Sequence, residues 1–398
     1  MKRILLISLP LVVLVAAAGL FLRNYLALGS RIDYKPAPTP VAVTTGSSAN
    51  VTPASGFRVE RVVTGLTVPW DIAFTSDTRM LVTERTGSIR IVENGRLLPE
   101  PLKTFPEIST GSEEGLMGMT IDPRYASNKF VYVAYAYPKK SDDGPLTVRV
   151  IRFRDEGTTT SGDTTIIDGI PAAQNHAGTR IAFGPDGKLY ITTGDATDRT
   201  IAQDPASLGG KILRINPDGT IPADNPRSGS AVYSTGHRNP QGLDWHPRHG
   251  VLVSTEHGPS LFDGPAGGDE VNLIQKGGNY GWPEVSHEEN EPGFVAPLIV
   301  FTPAVAPASG MFYDGGMFPE YRGDYFFGML RGQGIMRVVL GDGDPSKVVA
   351  YEPLPGIEYG RIREVEQGPD GAIYFSTSNR DGRGSARDGD DAIYRILR

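Results

Sequence analysis

Imidazole, guanidinium and carboxylate groups gather in short glycine-bearing segments of this chain: QNHAG at 174–178, TTGDATD at 192–198, GHRNPQG at 236–242 and STEHGP at 254–259. Glycine lets backbone approach a ligand closely, histidine supplies a base and arginine a fixed cationic fork. Such a set suits oxidation of an alcohol: a base takes the hydroxyl proton, hydride leaves the carbon, and arginine stabilises negative charge developing on the acceptor. His176 alone fits an ordinary hydrogen-bonded loop better than a catalytic role. Asp195 is what sharpens the reading, because it ends the strand that follows and can orient the ring and stabilise its protonated form. Arg238 and Asn239 precede an apolar strand pattern, where a surface ion pair and a turn form the competing role.

A second cluster is GGDEVNLIQKGGNYGWP at 267–283. Asp269 and Glu270 are hard oxygen ligands, and the return through Gly277, Gly278 and Asn279 can bend carbonyls toward them, as calcium requires. An acidic turn packed by Tyr280 and Trp282 is the plainer alternative. Arg331, Arg361 and Arg363 follow late in the chain, and strand alternation puts Arg361 and Arg363 on one face, suited to a multiply charged ligand or to outward surface charge. Zinc is disfavoured: His176, His237, His246, His249 and His257 lie in no HExxH pattern and the chain has no cysteine. His246 and His249, flanking a Pro-Arg turn, are expected to be solvated. The segment NRDGRGSARDGDD at 379–391 is expected to be a flexible, solvated turn.

The elements that must position these groups repeat. Strand-turn-strand units recur around Ile72, Met119, Ile181, Leu243, Phe312 and Ile362, several through turns such as Pro185-Asp186-Gly187, and helical periodicity persists nowhere. With 49 Gly and 32 Pro in 398 residues, many turns are implied. The expected fold is all-β, a six-bladed β-propeller of four-stranded antiparallel blades over 57–398, with a site drawn from loops far apart in sequence. Residues 1–25 carry Lys2 and Arg3 ahead of an apolar run to Leu22, read as a signal peptide or membrane anchor that places the rest outside the cytoplasm. Residues 26–56, rich in Pro, Ser and Thr, are read as a linker. The absence of cysteine excludes disulfides and a lipoprotein-type anchor. A formal net charge of −7 argues against nucleic acid as a partner.

The ordered motifs EEGLMG, QNHAGTRIAFGPDGKLYITTGD, GHRNPQGLDWHP, EHGP and GDEVNLIQKGGNYGWP resemble the soluble quinoprotein glucose/sorbosone dehydrogenases, which use pyrroloquinoline quinone (PQQ). That resemblance runs from about Phe57 to the C-terminus and implies oxidation of aldoses at C1 to lactones. By it, His176 is the general base, Asp195 its orienting carboxylate, and Arg238 a catalytic group that also contacts the quinone beside Asn239. His257, Arg331, Arg361 and Arg363 fall to the cofactor as well, the last two toward its carboxylates. Carbonyls of Gly258 and Pro259 are implied to hold a catalytic calcium, and Glu270 with the Tyr280 carbonyl a structural one. Glu113 stands near a position where relatives have Gln beside sugar and cofactor, a departure that would alter substrate preference or a local pKa. Loops for a second subunit and a disaccharide are short, so a monomer is expected, passing electrons to a periplasmic or external acceptor. A calcium-dependent propeller lactonase or a non-catalytic sugar-binding propeller would share the fold. A lactonase has no use for several arginines facing a polyanionic cofactor, and a binding protein none for His176 and Asp195 at one rim.

Overall fold

In the computed structural model, which describes residues 56–139 and 144–398, the chain forms six antiparallel sheets arranged as the blades of a propeller. The expected N-terminal segment over 1–25 and linker over 26–56 lie, but for Gly56, outside the described residues. The innermost strands are Pro69–Ser76, Leu116–Ile121, Gly178–Phe183, Pro240–Trp245, Pro307–Phe312 and Ile362–Gln367. Each packs against the next and the last packs against the first, which closes the ring. All six residues that marked the sequence repeat, from Ile72 to Ile362, fall in these innermost strands.

A shared blade completes the closure. Arg58–Thr64 pairs antiparallel with Ala392–Leu397, so the sixth blade takes its outer strand from the N-terminal side and three strands from the C-terminal side. Joining both sides of the chain in one sheet leaves no free seam in the ring. The first blade departs from four strands: its Ser88–Glu93 strand pairs with two short pieces, Arg96–Leu97 and Lys103–Thr104. Pro99 and Pro101 lie between them, and residues without an N–H cannot extend the ladder.

Second strands such as Leu189–Thr193, Leu252–Glu256, Tyr325–Met329 and Ile373–Thr377 are buried at every position rather than alternately. Each is covered on both faces by neighbouring blades. Trp70, Met117, Tyr132, Ile181, Ile191 and Leu213 belong to one such interblade core. Pairing of Gly178 with Thr193, Pro240 with Glu256 and Ile362 with Thr377 places the loop entering each innermost strand beside the loop leaving the second strand, at one rim of the funnel. Farther along the inner strands Arg180 is buried between Asp71 at 2.6 Å and Glu364 at 2.7 Å and stacks over Trp70, whose ring also lies under Arg363.

Candidate active site

That shared rim brings together His176, just before Gly178, and Asp195, just after Thr193. His176 has φ of +55°, a left-handed conformation uncommon for a residue with a Cβ. The neighbouring chain must come close to accommodate it: a Cβ on Gly194 would sit 1.8 Å from the His176 carbonyl oxygen, so only glycine fits.

The imidazole is gripped from both sides. Nδ1 lies 2.7 Å from Asp195 Oδ1, and Nη2 of Arg238 donates to Nε2 over 2.9 Å. Guanidinium has no acceptor, so Nε2 carries the lone pair and Nδ1–H donates to the carboxylate. Asp195 is held in turn: Oδ1 accepts from Thr197 N at 2.8 Å and Oδ2 from Trp282 Nε1 at 2.8 Å. His176, Asp195 and Arg238 are all buried. The result is a neutral base with an oriented lone pair and a counter-charge waiting behind it.

Arg238 has further anchors. Its Nε donates to Asp263 Oδ2 at 2.8 Å, Nη1 to the His257 carbonyl at 3.1 Å, and its plane lies over Trp282. His257 is pushed down to about 3 by burial, with Arg363, Arg238 and His176 adding to the fall and Glu113 opposing it, so it is a neutral ring at ordinary pH. Glu113 is pulled the other way. Burial alone would raise it, but Arg383, His257 and His176 outweigh burial and hold it at about 2. Its Oε2 accepts from the His176 backbone N–H at 3.1 Å and its Oε1 from Arg383 Nη1 at 2.5 Å.

Beside these sits an electropositive floor. Arg361 binds Asp381 through Nε at 2.8 Å and the Leu330 carbonyl through Nη1 at 2.9 Å, while Arg363 donates to Gln241 Oε1 at 2.9 Å. Burial lowers Arg363 to about 9, reinforced by Arg361 and Arg85 and opposed by Asp381 and Glu113. Asn239 Nδ2, His257 Nε2 and Arg363 Nε are buried nitrogens with no hydrogen-bond partner among the described residues. Asn239 Nδ2 and Arg363 Nε can only donate; unpaired buried donors are costly and rare, and a planar polycarboxylate would satisfy them with oxygens. The residues therefore fit a quinone carrying carboxylates. Arg331 is exposed and stands outside this buried cluster, one residue past the Leu330 carbonyl that Arg361 binds.

The loop after His257 is closely packed as well. A Cβ on Gly258 would lie 2.2 Å from the Gly268 carbonyl oxygen and 2.3 Å from that of Gly267, and the Pro259 carbonyl meets Gly267 N at 3.3 Å. Glu270 lies directly across from Glu256 in neighbouring strands, with Asn272 Nδ2 bonded to it at 2.9 Å. Burial and the Glu256 charge push its carboxyl up to about 8. A cation bound there would favour the ionised form of Glu270 against that push. Tyr280 packs on His237, and its hydroxyl donates to the Leu273 carbonyl at 2.6 Å.

Several sequence expectations are corrected. Asp269, read with Glu270 as a cation ligand, is filled by backbone N–H groups of Gly258, Val305 and Ala306 at 2.6 to 2.8 Å and braces the loop. His246, expected to be solvated with its neighbour, is buried against Phe312, while His249 is exposed. The 379–391 segment is not a free turn: Asp391 accepts from Asn379 N at 2.7 Å, Asp381 pairs with Arg361, and Arg383 crosses to Glu113 and to Asn175 Oδ1 at 3.0 Å. Trp282 is more than packing, since it binds Asp195. Asp263, Asp381 and Arg383 escape sequence reasoning because each acts through a partner remote in sequence. The excess of charged residues at 379–391 signals Asp381 and Arg383, and no such signal marks Asp263.

The glucose/sorbosone dehydrogenase family pattern matches residues 66–395. The chain is 45% identical to a Thermus thermophilus protein whose crystal structure is described as an oxidoreductase (glucose dehydrogenase), with a TM-score of 0.78 over 86% of this chain and 100% of that one. It is 34% identical to the PQQ-bound aldose sugar dehydrogenase of Streptomyces coelicolor, with a TM-score of 0.74 over 87% and 99% of the two chains. Aldose sugar dehydrogenase YliI of Escherichia coli is 34% identical over 82% of this chain and 91% of its own length.

Proposed function

From the premise that the chain belongs to the glucose/sorbosone dehydrogenase family, we propose that it oxidises aldose sugars at C1 to lactones with PQQ and calcium. The observation that carries this reading is the His176 ring, fixed as a base by Asp195 on one side and by an arginine donor on the other. When bound, PQQ supplies the acceptor for the two electrons that leave C1 as hydride, and calcium supplies a Lewis acid beside it.

Nε2 of His176 takes the proton of the anomeric hydroxyl, and Asp195 stabilises the imidazolium that forms. Arg238, whose Nη2 reaches Nε2 before substrate arrives, turns its positive charge to the oxygen where negative charge develops. Asn239, His257, Arg361 and Arg363 would hold the cofactor, Arg361 and Arg363 toward its carboxylates, with Glu113 beside sugar and cofactor and Arg331 at the margin. Gly258 and Pro259 carbonyls would hold the catalytic calcium, and Glu270 with the Tyr280 carbonyl the structural one. The surplus of buried arginine favours this over lactone hydrolysis. A signal peptide or anchor over residues 1–25 supports a site of action outside the cytoplasm, and the short loops support a monomer that hands electrons to an external acceptor. The test is His176→Ala in protein supplied with PQQ and calcium: kcat falls about 10²- to 10⁴-fold with PQQ affinity kept, and unchanged turnover refutes the base.

A further inference from the structure

Among the described residues the large apolar side chains left open to solvent are Leu261, Phe262 and Val349, and two of the three are neighbours in the loop after Pro259. Leu261 is 81% exposed and Phe262 66% exposed, at a rim otherwise lined by charge. Their placement is fixed by the active-site arginine. Asp263 accepts from Ser260 N at 2.6 Å and from Arg238 Nε at 2.8 Å, its carbonyl accepts from Arg199 Nη1 at 3.3 Å, and Gly264 N donates to Ser260 O at 3.0 Å. The loop tip is thus tied to the guanidinium that touches the base.

This geometry gives Phe262 a defined aspect. Its ring lies 22° from parallel to the His176 imidazole with centroids 6.1 Å apart, an offset stack that leaves most of the phenyl surface open beside the imidazole. A tied-down aromatic whose face stays wet gains nothing for folding; it gains when an apolar surface covers it. Polar groups recognise a sugar's hydroxyls, but its ring carbons also present C–H surface, and His176 dictates which end of the sugar points inward.

We propose that Phe262 is a specificity-determining wall of the sugar subsite, stacking on the C–H face of an aldopyranose whose anomeric hydroxyl meets Nε2 of His176. This rests on the aldose-oxidation reading. Open-chain polyols, which lack a flat ring face, are discriminated against at this wall. Asp263 is the positioning residue that holds it in place.

The test uses Phe262→Ala and Phe262→Trp in protein supplied with PQQ and calcium, with glucose and sorbitol as probes. The loop tip is exposed, so neither variant threatens the fold. F262A is expected to raise KM for glucose about ten-fold with kcat held within about two-fold, and F262W to restore it. A second readout needs no turnover: saturation transferred from protein aromatic protons to glucose C–H protons by NMR, strong in the wild type, weak in F262A and weak for sorbitol throughout. Glucose oxidation with KM and saturation transfer unchanged in F262A overturns the wall and leaves the dehydrogenase reading standing. Loss of transfer in F262A, in a protein that reduces no dye, supports the wall and overturns the redox reading.

Discussion

Arg238 Nη2 donates to His176 Nε2 across 2.9 Å, and this bond assigns the proton on the ring: the arginine can only give, so the histidine must accept. Asp195 receives the other ring N–H at 2.7 Å, and Trp282 fixes Asp195 at 2.8 Å. A base and its orienting carboxylate from the third blade thus meet, at one rim, the cation that covers the lone pair from the entry to the fourth.

Asp195→Asn keeps the shape of that contact and removes the charge. Turnover is expected to fall about 100-fold or more, with PQQ affinity unchanged. Stopped-flow reduction of a dye checks the first and titration with PQQ the second, and unchanged turnover removes Asp195 from its orienting role.

Glu113 provides a stability test. Its folded pKa of about 2 lies below the ordinary 4.5, so its ionised form stabilises the fold fully above about pH 4.5 and loses that contribution as pH falls toward 2. The difference in Tm between wild type and Glu113→Gln should be widest near neutrality and should shrink as the pH drops below about 4.5. Arg383→Ala should narrow it at every pH, since the largest opposing charge to burial is gone. A difference independent of pH contradicts the pairing.

Glu270 facing Glu256 predicts a cation linked to folding. Chelator treatment should lower Tm and added calcium restore it, by an amount that grows with the logarithm of free calcium. Glu270→Gln should lose most of that response while folding normally, since a neutral amide replaces a carboxyl that burial and the facing Glu256 already push toward its neutral form. Equal calcium shifts in wild type and variant, read by differential scanning calorimetry, place the ion elsewhere.

The six blades are legible in the sequence because a propeller repeats one local unit, and the anchors from Ile72 to Ile362 keep that rhythm through unequal loops. His176 and Asp195 are legible for the same reason: one hairpin carries both to one rim, with Gly178 paired to Thr193. Closure by Arg58–Thr64 is not, since pairing between distant parts of the chain leaves no local pattern. The second strands are buried throughout, because blades cover both faces and a polar residue such as Thr192 or Ser254 can be buried there. Asp269 and Glu270 are neighbours with opposite fates: backbone N–H groups from a loop far along the chain claim one, and a carboxylate across the ladder confronts the other. Arg383 shows the limit most clearly, as its partner Glu113 lies in the second blade's entry loop.

The most direct test is dye reduction by chelator-treated protein offered a panel of aldoses, with PQQ and calcium added singly and together. Activity is predicted only when both are present, with the lactone as product. Oxidation that proceeds without PQQ, or none with any aldose while PQQ fails to bind, would contradict the account.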